Sequence, residues 1–132
     1  MFFYTGLECY LLGIRTVEEL ATHYAKGALF ENFVISEIMK NNYNQGNLQS
    51  LYFWRDRTGH EVDLLIDAGG SMYPFEIKAG QTFQARFFKN LDFFNKISGH
   101  DPDLSTIIYA GDQNQKRAKG KVRSWNNLPG SI

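Results

Sequence analysis

Alternating apolar and polar positions mark two predicted strands on either side of Gly69-Gly70. Residues 61–68 and 71–78 each alternate in this way, and side chains along a strand point to opposite faces in turn. A Gly-Gly dipeptide suits the two-residue loop of a hairpin, where positive φ angles are needed. The pattern predicts an antiparallel hairpin with one apolar face. That face is expected to comprise Val62, Leu64, Ile66, Tyr73, Phe75 and Ile77.

The predicted hairpin brings charged side chains opposite one another. With the loop at Gly69-Gly70, Asp63 is expected to face Glu76, and Glu61 is expected to face Lys78. Directly opposed carboxylates on a sheet repel unless a cation or a shared proton neutralises them. Hard ions such as Mg²⁺ are commonly held by one or two carboxylates together with water and phosphate oxygens. The pair therefore predicts a metal site, with Lys78 in reach of a bound water or phosphate.

Helical and strand periodicities divide the rest of the chain into further elements. Apolar residues recur at helical spacing in two segments, and a β-branched run near residue 107 is typical of a buried central or parallel strand. Two short packing helices are expected before residue 26. The order α-β-β-β-α-β predicts an α/β (α+β) fold, with a mixed sheet flanked by helices. The predicted helices cover 27–41 and 83–98, and the predicted strands cover 48–55, 61–68, 71–78 and 104–110.

Length and composition predict one domain over residues 1–132, with 1–26 as a helical lead-in and 27–132 as the core. The chain has 132 residues, 43% of them apolar, which is enough for one working core. Its single cysteine, Cys9, cannot form an internal disulfide, and no apolar run is long enough to span a membrane. These features predict a cytoplasmic protein without a membrane partner.

Short motifs spread over nearly the whole chain resemble those of a known family. Asp63 followed by Glu76-Ile77-Lys78 resembles the PD-(D/E)XK nuclease superfamily. With residues 27–37, 52–55, 59–63 and 75–79, the chain is similar to the C-terminal domain that follows the ATPase module in a large prokaryotic family of AAA+ type ATPases. The resemblance implies a restriction-endonuclease-like core. It departs at Tyr4, where the family usually has aspartate in the segment joining the ATPase module.

The resemblance also implies a site and an activity. Asp63, Glu76, Lys78 and Glu31 are the implied catalytic residues, and Glu31, Asp63 and Glu76 are the implied ligands of Mg²⁺ or Mn²⁺. The implied activity is metal-dependent phosphodiester hydrolysis or nucleic-acid processing. A second interpretation of Glu31 is a helix-start carboxylate satisfied by backbone N–H groups.

The sequence contains no Gly-x-x-x-x-Gly-Lys-Ser/Thr phosphate loop, so no ATP site is expected in this chain. The expected partner is a missing N-terminal ATPase module, and the apolar start at Met1–Tyr4 favours a fragment or an excised domain.

Basic residues offer only a local surface for DNA or RNA. Lys and Arg balance Asp and Glu at 14 each, so no overall basic field attracts nucleic acid. Residues 116–123 carry five positive charges and no acid, although such runs are commonly solvated loops. The alternative function is a catalytically silent interaction or regulatory module that binds DNA, protein or its own ATPase domain. The candidate nucleic-acid contacts are Arg55, Arg57, Lys116, Arg117 and Lys119.

Overall fold

The computed structural model describes residues 5–47 and 49–128. Its helices are α1 (Thr5–Leu11), α2 (Val17–Thr22), α3 (Lys26–Asn44) and α4 (Lys89–Ser98). Its strands are β1 (Ser50–Arg55), β2 (Glu61–Ala68), β3 (Ser71–Lys78), β4 (Thr106–Tyr109), β5 (Gln115–Arg117) and β6 (Gly120–Ser124). Short 3-10 turns at Ala85–Phe88 and Pro102–Leu104 precede α4 and β4 respectively.

The strands form one mixed sheet in the order β1-β2-β3-β4-β6-β5. The first three strands are an antiparallel meander, whereas β4 pairs parallel with both β3 and β6. All four residues of β4 are buried, which confirms the predicted buried central strand. A mixed sheet flanked by helices is thus present.

The observed element order differs from the predicted one, because β5 and β6 follow β4. The prediction missed these two strands because their sequence is dominated by charge. In β6, Gly120, Val122 and Ser124 are buried, while the basic residues between them are only partly buried. Val122 alone supplies a large apolar side chain, so the strand alternation was hidden within an apparently solvated basic run.

The sheet separates two apolar clusters. The α3 side of the sheet carries one cluster, and the α4 side carries the other, because neighbouring strand residues such as Leu64 and Leu65 point in opposite directions. The α3-side cluster comprises Val34, Ile35, Ile38, Leu64, Ile66, Phe75, Ile77 and Ile108. The α4-side cluster comprises Val62, Leu65, Phe88, Leu91, Phe94, Ile107, Tyr109 and Val122.

The predicted hairpin forms in the predicted register, with Gly69 and Gly70 at φ angles of 62° and 82°. Observed pairing of β2 with β3 runs from Leu64–Phe75 to Ala68–Ser71. The expected pairing of Asp63 with Glu76 and of Glu61 with Lys78 was wrong, since β2 and β3 pair only as far as Leu64–Phe75. On its other side Glu61 pairs with Arg55 of β1.

A bulge in β2 changes the face of its first residues. Tyr52 pairs with Leu65 and Trp54 with Val62, so Asp63 and Leu64 of β2 lie opposite the single residue Phe53. The expectation that Val62, Leu64 and Ile66 share one face was therefore wrong for Val62, which belongs to the α4-side cluster. The bulge lies at Asp63, where the chain leaves regular pairing and a polar side chain can be redirected.

The N-terminal helices pack beside α3, as expected for small packing helices. Thr16 caps α2 by accepting a hydrogen bond from the Glu19 N–H at 3.1 Å, and Asn32 of α3 donates to a carboxylate oxygen of Glu8 at 3.0 Å. The expectations about Met1–Tyr4 lie outside the described residues. In the part of the chain that the structure describes, every helix is too short or too polar to cross a bilayer.

Candidate acidic site

The centre of the candidate site is the carboxyl group of Glu76 on β3. Glu76 is only 2% exposed. Its Oε1 lies 2.6 Å from the Lys78 Nζ and accepts a longer hydrogen bond, 3.4 Å, from the Nδ2 of Asn90 on α4. Its Oε2 is buried and has no hydrogen-bond partner. Since buried polar atoms are nearly always paired, this oxygen is positioned for a proton or a cation.

Asp63 reaches the same region from the bulge in β2. Its Oδ2 accepts a hydrogen bond of 2.7 Å from the backbone N–H of Ile77, which lies between Glu76 and Lys78. The side chain thus replaces a backbone ladder bond beyond the last observed β2–β3 pair. Burial, reinforced by the negative charges of Glu76 and Glu31, raises the pKa of Asp63 to about 7, against the opposing effects of the Ile77 N–H and Lys78.

Glu31 contributes a third carboxyl group from α3. Burial raises its pKa, and the charges of Glu61 and Glu76 add to that rise, while Lys78 lowers it. The helix-start interpretation of Glu31 was wrong, because α3 begins at Lys26 and its first turn contains no acidic residue. Glu31 is therefore an acid within the helix body whose electrostatic neighbours lie on the sheet.

The pKa of Glu76 is also raised, mainly by burial and to a smaller extent by Glu61, although Lys78 and Asn90 oppose the rise. Asp63, Glu76, Lys78 and Glu31 thus form one electrostatic group, which we call the acidic site. Sequence reasoning did not include Glu61 or Asn90 in this site. Glu61 could have been recognised because it lies two residues before Asp63 on the same predicted strand. No local pattern distinguished Asn90 from other polar residues of its helix.

The acidic site supplies carboxylate oxygens, the donors that hard metal ions prefer, but its side chains are not grouped as metal ligands. Within residues 5–47 and 49–128, no three His, Cys, Asp or Glu side chains are grouped so as to hold a metal ion. Lys78 instead neutralises Glu76 directly. Carboxylate oxygens are the ligands that Mg²⁺ and Mn²⁺ prefer, and Glu76 offers an unpartnered one. Residues Glu31, Asp63 and Glu76 therefore fit such an ion chemically, provided that their side chains converge.

The candidate nucleic-acid contacts lie apart from the acidic site or are already paired. Arg55 is 4.0 Å from Glu61, Lys116 is 3.4 Å from Asp103, and Lys119 pairs with Asp92. Arg57 is exposed in the turn before β2. Lys116, Arg117 and Lys119 belong to the β5–β6 hairpin, and β4 and β6 separate β5 from β3. The three strand spacings between β3 and β5 amount to roughly 14 Å, which places Lys116 and Arg117 apart from the acidic site across the sheet.

A family model matches most of the chain. The family model described as a domain of unknown function (DUF4143) matches residues 26–128. A search of the curated proteins found no match, and a search of the solved structures found none either. The matched segment begins with α3 and includes the acidic site and the whole sheet.

Proposed function

This chain belongs to the DUF4143 family, a domain of unknown function, and from the geometry of its acidic site we propose a nuclease-like, metal-dependent phosphodiester hydrolase. One observation carries the proposal. The buried carboxyl group of Glu76 has one oxygen on Lys78 and the other without a partner, and its charge helps to raise the pKa of a second acid, Asp63. Strongly perturbed acids of this kind concentrate at functional sites, and hydrolytic sites need them.

In the proposed reaction, Asp63, Glu76 and Glu31 would hold the ion through carboxylate oxygens. When bound, Mg²⁺ or Mn²⁺ would supply a water of lowered pKa. Hydrolysis adds the water oxygen to phosphorus and breaks the bond to one ester oxygen, which takes up a proton from solvent while the attacking water releases one to solvent. The Ile77 N–H keeps the Asp63 carboxyl group in place, and Asn90 does the same for Glu76. Lys78, whose ammonium group lies 2.6 Å from Glu76 Oε1, would orient the water or stabilise negative charge on the phosphate oxygens.

Calorimetric titration with Mg²⁺ and Mn²⁺ tests the proposed site. Wild type is expected to bind the ion and to gain about 2.7 kcal/mol of stability when the ion is present at 100 times its dissociation constant. Asp63→Ala is expected to lose both effects. Asp67→Asn, which changes an acid on the same strand outside the acidic site, serves as the matched control. Absence of heat and of any thermal shift in wild type at millimolar ion concentrations contradicts the metal site.

A cleavage assay tests the chemistry. Hydrolysis is expected only at low salt with Mg²⁺ or Mn²⁺, because a chain of zero net charge has little long-range attraction for a polyanion. Lys78→Ala is expected to abolish cleavage while the fold persists. Cleavage that survives in Lys78→Ala contradicts the role proposed for this lysine.

The second candidate function is a catalytically silent module that binds DNA, protein or an ATPase domain of the same polypeptide family. Two observations favour it, namely the direct Lys78–Glu76 contact and the balanced charge of the chain. Inactivity with all tested metals, salts and nucleic acids, together with retained binding to an ATPase partner, supports this second function. We also propose that the domain associates with an ATPase module and is located in the cytoplasm.

A further inference from the structure

An open groove lies between the β5–β6 hairpin and the segment that leads into α4. Its volume is about 690 Å³. One wall comes from residues 83–88, which follow the acidic site in sequence, and the other comes from residues 115–119. The groove thus combines an aromatic wall with a basic wall. Its lining residues are Phe83, Ala85, Phe88, Gln115, Lys116, Arg117, Ala118 and Lys119.

Phe83 provides a flat aromatic surface in this groove. The ring is partly exposed and is held edge-on by Phe87 and Phe88, with centroid separations of 5.9 and 6.1 Å. The Arg117 guanidinium lies over the face of the Phe83 ring, 4.8 Å from its centroid, so the two form one stack. Aromatic rings and guanidinium planes are the surfaces on which unpaired bases stack.

The two lysines of the groove can exchange their carboxylate partners for a phosphate group. Lys116 and Lys119 contact Asp103 and Asp92, but 70% and 61% of their side chains are exposed. Exposed ion pairs of this kind contribute little stability and are screened by salt. A phosphate can replace either carboxylate at small cost, and release of counterions favours a polyanion.

The turn end of the hairpin, where Gly120 pairs with Arg117, is fixed against the rest of the domain. Gly120 has a φ angle of 136°, and a Cβ atom at this position would lie 2.6 Å from the Ser105 carbonyl oxygen and 3.0 Å from the Phe88 ring. The Lys121 N–H donates to the same Ser105 oxygen at 2.9 Å. The two walls of the groove therefore keep a defined separation, as a binding surface requires.

We propose that this groove binds single-stranded nucleic acid, with a base stacked on the Arg117 guanidinium that lies over Phe83, and with backbone phosphates at Lys116 and Lys119. An unpaired base can present its ring face to this guanidinium, whereas bases in a duplex are stacked on one another. The inference that this nucleic acid is the substrate of the hydrolase rests on the proposed function. Its binding to the groove can be tested without catalysis.

Fluorescence anisotropy with a labelled oligothymidylate of about 10 nucleotides tests the proposal, a length within the range of known single-strand sites. The titration is performed at low salt in EDTA, so that no metal-dependent cleavage occurs. Phe83→Leu retains an apolar side chain, and it is expected to weaken binding about 5- to 100-fold through lost stacking. Lys116→Gln and Lys119→Gln are each expected to reduce the slope of log affinity against log salt by about 0.7.

Lys40→Gln is the matched control, because Lys40 is an exposed, ion-paired lysine on α3 outside the groove. Its affinity for the oligonucleotide is expected to stay close to that of wild type. If Phe83→Leu unfolds, Arg117→Gln replaces it and is expected to weaken binding as well. Unchanged affinity in the folded groove variants overturns the proposal. Equal competition by duplex DNA or by polyglutamate does so too.

These experiments test the binding groove and the proposed hydrolase activity separately. Asp63→Asn is expected to bind the oligonucleotide as tightly as wild type, because Asp63 is absent from the groove. Retained binding without cleavage under any metal condition contradicts the proposed hydrolase alone. Cleavage of single strands that is insensitive to Phe83→Leu and to both lysine variants contradicts the groove alone.

Discussion

Two lysine–carboxylate pairs in this domain have the same chemistry and very different surroundings. Lys78 lies 2.6 Å from a Glu76 side chain that is 2% exposed, whereas Lys116 lies 3.4 Å from Asp103 with both side chains largely in solvent. Burial raises the pKa of Glu76 and its neighbours, because water no longer stabilises their charges. The comparison teaches that burial, rather than the presence of an ion pair, decides which charges affect stability.

The largest expected effect comes from Asp63→Asn. The pKa of Asp63 rises from 3.8 to about 7 in the folded chain, chiefly through burial. Between these values the folded chain keeps a proton that the unfolded chain has released, so the free energy of unfolding falls as pH rises from about 4 to about 7. At about 1.4 kcal/mol per unit, the variant is expected to be more stable than wild type by up to about 4 kcal/mol at pH 8 and to match it near pH 4.

Urea denaturation of both proteins across this pH range measures the effect. Asparagine can still accept the hydrogen bond of the Ile77 N–H, so the local geometry is retained. Parallel pH profiles of wild type and variant would contradict the buried, proton-holding carboxyl group.

The next effect concerns the anchor of the basic hairpin. Gly120→Ala is expected to destabilise the fold by about 1–3 kcal/mol, because the added Cβ meets the Ser105 carbonyl and the φ angle of 136° strains any L side chain. Gly27→Ala in α3 is the matched control, since its Cβ enters open space and alanine favours helix. Thermal melts compare the two; equal stability of both variants is inconsistent with a hairpin fixed at Gly120.

The smallest effect compares the two lysines directly. Lys78→Met is expected to cost about 1–2 kcal/mol at pH 8, because it leaves a buried carboxyl group without its cation; the usual value is reduced here since Lys78 is partly exposed. Lys119→Met is expected to change stability by less than about 0.5 kcal/mol, as is typical of exposed pairs. Chemical denaturation of both variants provides the measurement. A larger loss in Lys119→Met than in Lys78→Met reverses the comparison.

Local periodicity was sufficient to predict most of the fold. The Gly69-Gly70 loop, the meander and the buried strand near residue 107 all depend on short-range patterns, and the structure confirms them. The two last strands were missed because β6 has few apolar side chains and gains its burial from neighbours distant in sequence. Its pairing partner β4 provides the context that the local sequence lacks.

The acidic site was only partly predictable, because some of its contacts depend on segments that are distant in sequence. The register of the hairpin brought Asp63 near Glu76, but the bulge in β2 depends on pairing with β1 and could not be read from alternation. The Asn90 contact depends on how α4 packs on the sheet, which no local pattern specifies. The charge run of the hairpin likewise gave no indication that Phe83 forms the opposite wall of a groove.

The parallel pairing of β3 with β4 also sets an order of assembly. The meander closes through short connections, whereas β4 reaches β3 only after the long segment of residues 79–105 has closed as a loop, which is the slower kind of contact. Glu76 pairs with Ile107 of β4, so its carboxyl group is enclosed only when that strand docks. If docking follows the folding transition state, raising the pH through the raised pKa of this carboxyl group accelerates unfolding and leaves the refolding rate nearly unchanged. Stopped-flow kinetics measure both rates, and a pH effect confined to refolding would place the enclosure of this carboxyl group before the transition state.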